Sequence, residues 1–172
     1  MKKAITAILA LALLSAAAPA AEKELAGSYR SSVLDREFYI YNTSSDAFVW
    51  VAGGKSVDRV QLVIGRRSLE DFCFALRAAG GAYASYVQSG EGSLKSAGVD
   101  FPAVTVRWRD TRWNVVRNHF LYPYMTHTPD GTPVLLFAGK LRKGKAEKEY
   151  ILVFSSLTEI EEFVSVLEKL EK

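Results

Sequence analysis

Three arginines and two tryptophans crowd the stretch Arg107-Trp108-Arg109-Asp110-Thr111-Arg112-Trp113, with a fourth arginine, Arg117, just beyond. A guanidinium presents a planar fork of donors that grips a carboxylate or phosphate through two parallel hydrogen bonds. An indole beside it stacks on a sugar, a lipid or a partner side chain. With Asp110-Thr111 as a turn, strand alternation puts Trp108 and Trp113 opposite each other on one face and Arg107 and Arg109 on the other. The segment Arg107, Trp108, Arg109, Arg112, Trp113 and Arg117 is therefore the first candidate for ligand binding. The competing reading makes both indoles core residues and the arginines a solvated sheet face. A second candidate is the pair of Tyr-x-Tyr motifs. Tyr39 and Tyr41 share one strand face, as do Phe120, Tyr122 and Tyr124. Exposed tyrosines mark interfaces, whereas buried ones are ordinary strand formers.

Catalytic chemistry has thinner support. His119 and His127 are the only histidines, and on one extended strand eight residues separate them by roughly 26 Å. They cannot share a metal ion without a sharp bend, and no cysteine pair or His-Glu-x-x-His spacing supplies further ligands. A nucleophile needs an adjacent base, and no Gly-x-Ser-x-Gly elbow frames any serine, although Ser44, Ser45 and His127 fall in comparable turns. The carboxylate pairs Glu70-Asp71 and Glu161-Glu162 occupy helix first turns, where the helix dipole accounts for them. Gly90-Glu91-Gly92-Ser93-Leu94-Lys95-Ser96 lacks phosphate-loop spacing. The expectation is a chain that is not an enzyme and needs neither cofactor nor metal, with a periplasmic hydrolase using His127 or His119 as the alternative.

The elements that would carry these residues repeat. Tyr39-Ile40-Tyr41 matches Tyr122-Pro123-Tyr124, and Val49-Trp50-Val51-Ala52-Gly53 matches Leu135-Leu136-Phe137-Ala138-Gly139. Val60-Gln61-Leu62-Val63-Ile64 matches Ile151-Leu152-Val153-Phe154-Ser155 at an offset of 91, as Leu69, Phe72, Cys73 and Leu76 match Ile160, Phe163, Val164 and Leu167. Each half reads as two strands, a third strand and an amphipathic helix. The half-repeats span 37–80 and 119–171. Ser68 and Thr158 are the expected helix N-caps, and Gly80-Gly81 the expected end of the first helix. Residues 88–100, rich in glycine and serine, read as a mobile loop. A strand pair at 104–109 and 113–122 completes an α+β fold of about seven or eight antiparallel strands with two amphipathic helices.

Lys2-Lys3, an apolar run over 4–18 and Ala18-Pro19-Ala20 have the layout of a secretory signal peptide cut near Ala20. The run reaches roughly 22 Å, short of the roughly 30 Å hydrocarbon core of a bilayer, so stable membrane insertion is not expected. Residues 21–172 are expected to fold as a single domain. Removing the two signal lysines lowers the net charge from +3 to +1, which gives no global field for nucleic acid. The lone Cys73 lies on a helical apolar stripe and reads as core. Together these features point to a non-catalytic binding module, periplasmic or secreted. Its expected partner is an envelope or extracellular protein, with a small anionic ligand as the other possibility.

Overall fold

The computed structural model of this chain describes residues 23–53, 56–110 and 112–170. The expected signal peptide, 1–20, lies outside the described residues. The chain is α+β, with two helices and ten described strands, all paired antiparallel. β1 (Glu24–Ser31), β2 (Arg36–Asn42), β3 (Asp46–Gly53) and β4 (Ser56–Gly65) form a meander. A short 3-10 turn leads into α1 (Leu69–Ser89), followed by β5 (Lys95–Ser96), β6 (Val104–Arg109) and β7 (Trp113–His119). A second meander of β8 (Pro123–His127), β9 (Pro133–Lys143) and β10 (Ala146–Phe154) ends in α2 (Leu157–Glu168).

Six strands in the order β1-β2-β3-β4-β6-β7 make one sheet and four in the order β5-β8-β9-β10 make the other. One pairing joins them. β3 gives one edge to β4, and divides the other between β2, at Ala47, Phe48 and Val49, and β10, through Ala52 opposite Ile151.

Several expectations need correction. The strands exceed the expected eight because β1 and β5 carry no apolar alternation. β1 has a glycine mid-strand for a reason: a Cβ on Gly27 would stand 2.9 Å from Val166 Cγ1, so α2 rests directly on the strand backbone. α1 does not stop at Gly80-Gly81 but runs to Ser89 and ends at Gly90, whose φ of 65° is the left-handed conformation that glycine adopts freely. Ala79 and Gly80 are instead buried, Gly80 against Ile160 and Leu157 of α2. The third-strand match also shifts by one. The core residues of β10 are Tyr150, Leu152 and Phe154, which align with Val60, Leu62 and Ile64 at an offset of 90. The helix match keeps its spacing, and all eight matched helix positions are buried, Cys73 among them. Residues 88–100 begin in α1, carry a Lys95–Glu91 ion pair of 2.8 Å and attach to β8 through β5 and the Ala97 N–H to Pro123 carbonyl bond.

Both helices pack on the inward faces of the strands. The Tyr29 ring stacks on Phe38 and Phe154, both at 5.1 Å, and meets Phe163 of α2 edge-on at 5.2 Å. α2 is capped by Ser156 rather than Thr158, its hydroxyl accepting the Glu159 N–H at 3.1 Å. The Glu159 side chain is itself buried. Its oxygens accept from Ser32 N (2.9 Å), Ser32 Oγ (2.8 Å), Ser155 N (2.7 Å) and Ser155 Oγ (3.1 Å). Tyr83 of α1 donates to the Ser155 and Pro133 carbonyls at 2.7 and 3.0 Å. Burial first, and the nearby Glu159 charge second, raise the Tyr29 and Tyr83 hydroxyl pKa values, which keeps both as donors.

Removing that carboxylate takes the acceptor from the Ser32 and Ser155 backbone N–H groups and leaves their hydroxyls, 2.7 Å apart, to bond each other. Glu159→Ala is expected to lower unfolding stability by about 3 kcal/mol, with Glu159→Gln in between. Urea denaturation reads this, and an unchanged midpoint would show that the hub contributes nothing.

Candidate functional site

The β6–β7 turn decides which residues share a face. Arg109 pairs with Trp113, Trp108 with Asn114 and Arg107 with Val115, leaving three residues between the strands. A three-residue connection moves the register by one relative to a two-residue turn, and one step flips every side chain to the other face. Trp113 therefore stands with Arg107 and Arg109, not with Trp108 as the sequence suggests. Trp108 is only 1% exposed and belongs to the core, so it cannot join a surface site. Opposite it, buried Asn114 braces the turn, donating to Asp110 Oδ2 at 3.0 Å and the Arg112 carbonyl at 3.3 Å, while Asp110 Oδ1 accepts the Arg112 N–H. The Thr111 position lies outside the described residues.

On the outer face of the six-stranded sheet, opposed residues form rows. Trp50, Gln61, Arg107 and Val115 line up across β3, β4, β6 and β7, and Tyr41, Phe48, Val63 and Thr105 form the adjacent row across β2, β3, β4 and β6. Tyr41 stacks on Phe48 at 5.3 Å, and Lys23 Nζ lies 5.1 Å from the Phe48 ring centroid. Tyr39 shares this side of β2 by alternation. The core cluster that contains both helices includes none of these residues. Lys23, Gln61, Arg107, Trp113 and Val115 line a groove of about 340 Å³.

Two features of this face stand out. Trp113 is 48% exposed, whereas Gln61 is 4% exposed and its amide hydrogen-bonds to no described residue. What little surface Gln61 keeps opens into the groove. Arg107, Arg109, Arg112 and Arg117 form no ion pair among the described residues, while Arg30, Arg77, Lys95, Lys140 and Arg142 each do. Trp50, Phe48, Gln61 and Lys23 were not singled out from sequence. The available signal was Phe48-Val49-Trp50-Val51, apolar on both strand faces, which marks a strand whose outer side is also covered or used.

The other candidates fall elsewhere. Tyr122 and Tyr124 flank the start of β8 and are exposed with Phe120, in a different sheet from Tyr39 and Tyr41. His119 Nε2 lies 2.9 Å from the Tyr150 hydroxyl. Tyr150 reaches it by lying over Gly139, where a Cβ would stand 2.8 Å from its ring. Burial lowers the His119 pKa below 6.5 and pushes that of Tyr150 up to about 12. His127 Nδ1 meets the Tyr86 hydroxyl at 3.1 Å, and because that hydroxyl donates to the Ser93 carbonyl, Nδ1 is the donor to Tyr86. Ser45 bonds Asp46, and neither histidine hydrogen-bonds a serine or cysteine among the described residues. Among the described residues no group of three or more His, Cys, Asp or Glu is placed to hold a metal ion, and no helix is long and apolar enough to cross a membrane.

Compared with known proteins, the chain matches no family model, no curated protein and no solved structure. The functional reading therefore rests on this geometry.

Two outcomes are expected. His119 has a depressed folded pKa, so the unfolded chain binds its proton more readily and stability falls as pH drops through 6.5 toward the folded value. Thermal melts from pH 7.5 to 5 should show this decline, and His119→Gln should flatten it. An equal slope in both proteins would remove His119 as its source. Replacing Gln61 with Leu removes an amide that hydrogen-bonds to no described residue, so the melting temperature is expected to stay level or rise by an amount worth about 1 kcal/mol. A marked fall would show that the amide is structural.

Proposed function

We propose that this protein is an exported, non-catalytic binding module that engages an acidic partner protein through the outer face of its six-stranded sheet. One observation carries the reading. A sheet face outside the core cluster of the two helices presents Trp50, Trp113 and Tyr41 beside the buried Phe48 and Val63, together with arginines that have no ion-pair partner among the described residues. Aromatic residues and arginine are the types enriched at interfaces and their hot spots, and uncompensated guanidiniums favour a partner surface of opposite sign. Export rests on the leader-like layout of residues 1–20, and places the partner in the periplasm or outside the cell. The two meander-plus-helix units fit an internal duplication, in which the first unit supplies part of this face and the second buttresses the core.

The test is crosslinking of the tagged protein in cells, followed by salt-graded capture with wild type and with Arg107→Ser/Arg109→Ser/Arg112→Ser. Capture of an acidic protein should weaken at least tenfold in the triple variant and fall with rising salt, at unchanged circular dichroism. Undiminished capture by the triple variant would remove this face as the binding surface.

A further inference from the structure

We infer that the Gln61 groove is a carboxylate pocket that seats an acidic peptide terminus, with the adjoining apolar side chain against Trp113. This deepens the binding reading above and rests on it. The first argument is the amide itself. Gln61 occupies the middle of a central strand, almost wholly buried, where a leucine would fit the neighbouring Leu62 and Val63 run without desolvating a polar group. With no hydrogen-bond partner among the described residues, the amide is left to bond whatever occupies the space it faces. Its opening is the groove.

The lining then defines what completes it. Arg107 directly opposes Gln61 across β4 and β6, and Lys23 borders the same space. Guanidinium and ammonium groups are donors only, as is the indole N–H of Trp113, and Gln61 Oε1 is the one side-chain acceptor in the lining, so the complement is a strong acceptor that also carries a donor, as a peptide terminus does with its carboxylate and backbone N–H. Carboxylate and phosphate both qualify. Phosphate sites are ordinarily built from backbone N–H groups at helix N-termini or in loop nests. Gln61 and Arg107 lie on β4 and β6, which are each paired on both edges, so their backbone N–H groups are committed to the sheet and the side chains supply the donors. A planar carboxylate matches the guanidinium fork and the single amide. The remaining walls, Trp113 and Val115, are apolar and suit the body that carries it. A volume of about 340 Å³ is at the small end for ligand sites, room for a terminal residue and not for a long segment.

The experiment titrates the full chain lacking residues 1–20 with acetyl-Ala-Ala-Phe bearing a free carboxylate, following the Gln61 side-chain amide and Trp113 indole resonances by NMR. Both should shift saturably. The same peptide as its C-terminal amide, and the free acid on Gln61→Leu, should each bind about tenfold more weakly or worse, with the melting temperature of Gln61→Leu not reduced. Equal affinity for acid and amide, or for wild type and Gln61→Leu, would overturn the proposal. Tighter binding of inorganic phosphate would make it a phosphate site, and tighter binding of 3-phenylpropionate a site for free small acids, each overturning the peptide assignment. If Gln61→Leu captures the cellular partner as well as wild type while the arginine triple variant does not, the pocket falls and the binding face stands. The converse pattern, in which the triple variant retains capture and the peptide still saturates Gln61, removes the face and keeps the pocket.

Discussion

A carboxylate out of water is tolerated only when donors replace its hydration, and Glu159 obtains them from two distant places. Ser32, in the turn after β1, and Ser155, at the end of β10, each give a backbone and a side-chain donor to it. Glu159 also stands in the first turn of α2, where the helix dipole favours negative charge. One side chain thereby fixes the first hairpin, the last strand and the last helix relative to one another. Tyr83 adds α1 through the Ser155 carbonyl. α2 packs on β1 and on α1, and both helices share one core cluster with the strands. The outer face of the larger sheet is left to other uses.

That outer face has an unusual division of labour. Its aromatic residues cover one another, as Tyr41 and Phe48 do, so apolar surface is held without a helix over it. Its arginines form no ion pair among the described residues. The smaller sheet manages charge differently at the β9–β10 hairpin, where Lys140 and Arg142 are matched with Glu147 and Glu149 across the strands. The contrast lies between solvated pairs that satisfy each other and guanidiniums that await an acceptor.

Much of the framework was readable from residue spacing. The helix stripes Leu69, Phe72, Cys73, Leu76 and Ile160, Phe163, Val164, Leu167 are buried as the 3.6-residue period requires. The strand and helix order of both meanders follows the same patterns. What sequence could not supply was parity and partnership. Trp113 changed faces because of one residue in a turn, and the turn length was set by Asp110 and Asn114 bonding across it. β1 was invisible because its form comes from contact with α2, at Gly27 and Tyr29, and not from its own pattern. Gln61 looked like any polar residue in a strand until its neighbours enclosed it.

The meeting of β1 with α2 also bears on how the chain reaches its structure. Gly27 lies against Val166, Tyr29 against Phe163, and Ser32 bonds Glu159. Every one of these contacts spans more than a hundred residues of sequence, and closing such loops is slow compared with local pairing. The core cannot seal until the final helix has emerged, so a nascent chain stays unsealed throughout its synthesis. Passage through a translocation pore requires a polypeptide that has not yet become compact. For a chain exported as proposed above, a fold in which the first strand waits for the last helix would provide that delay from its own topology.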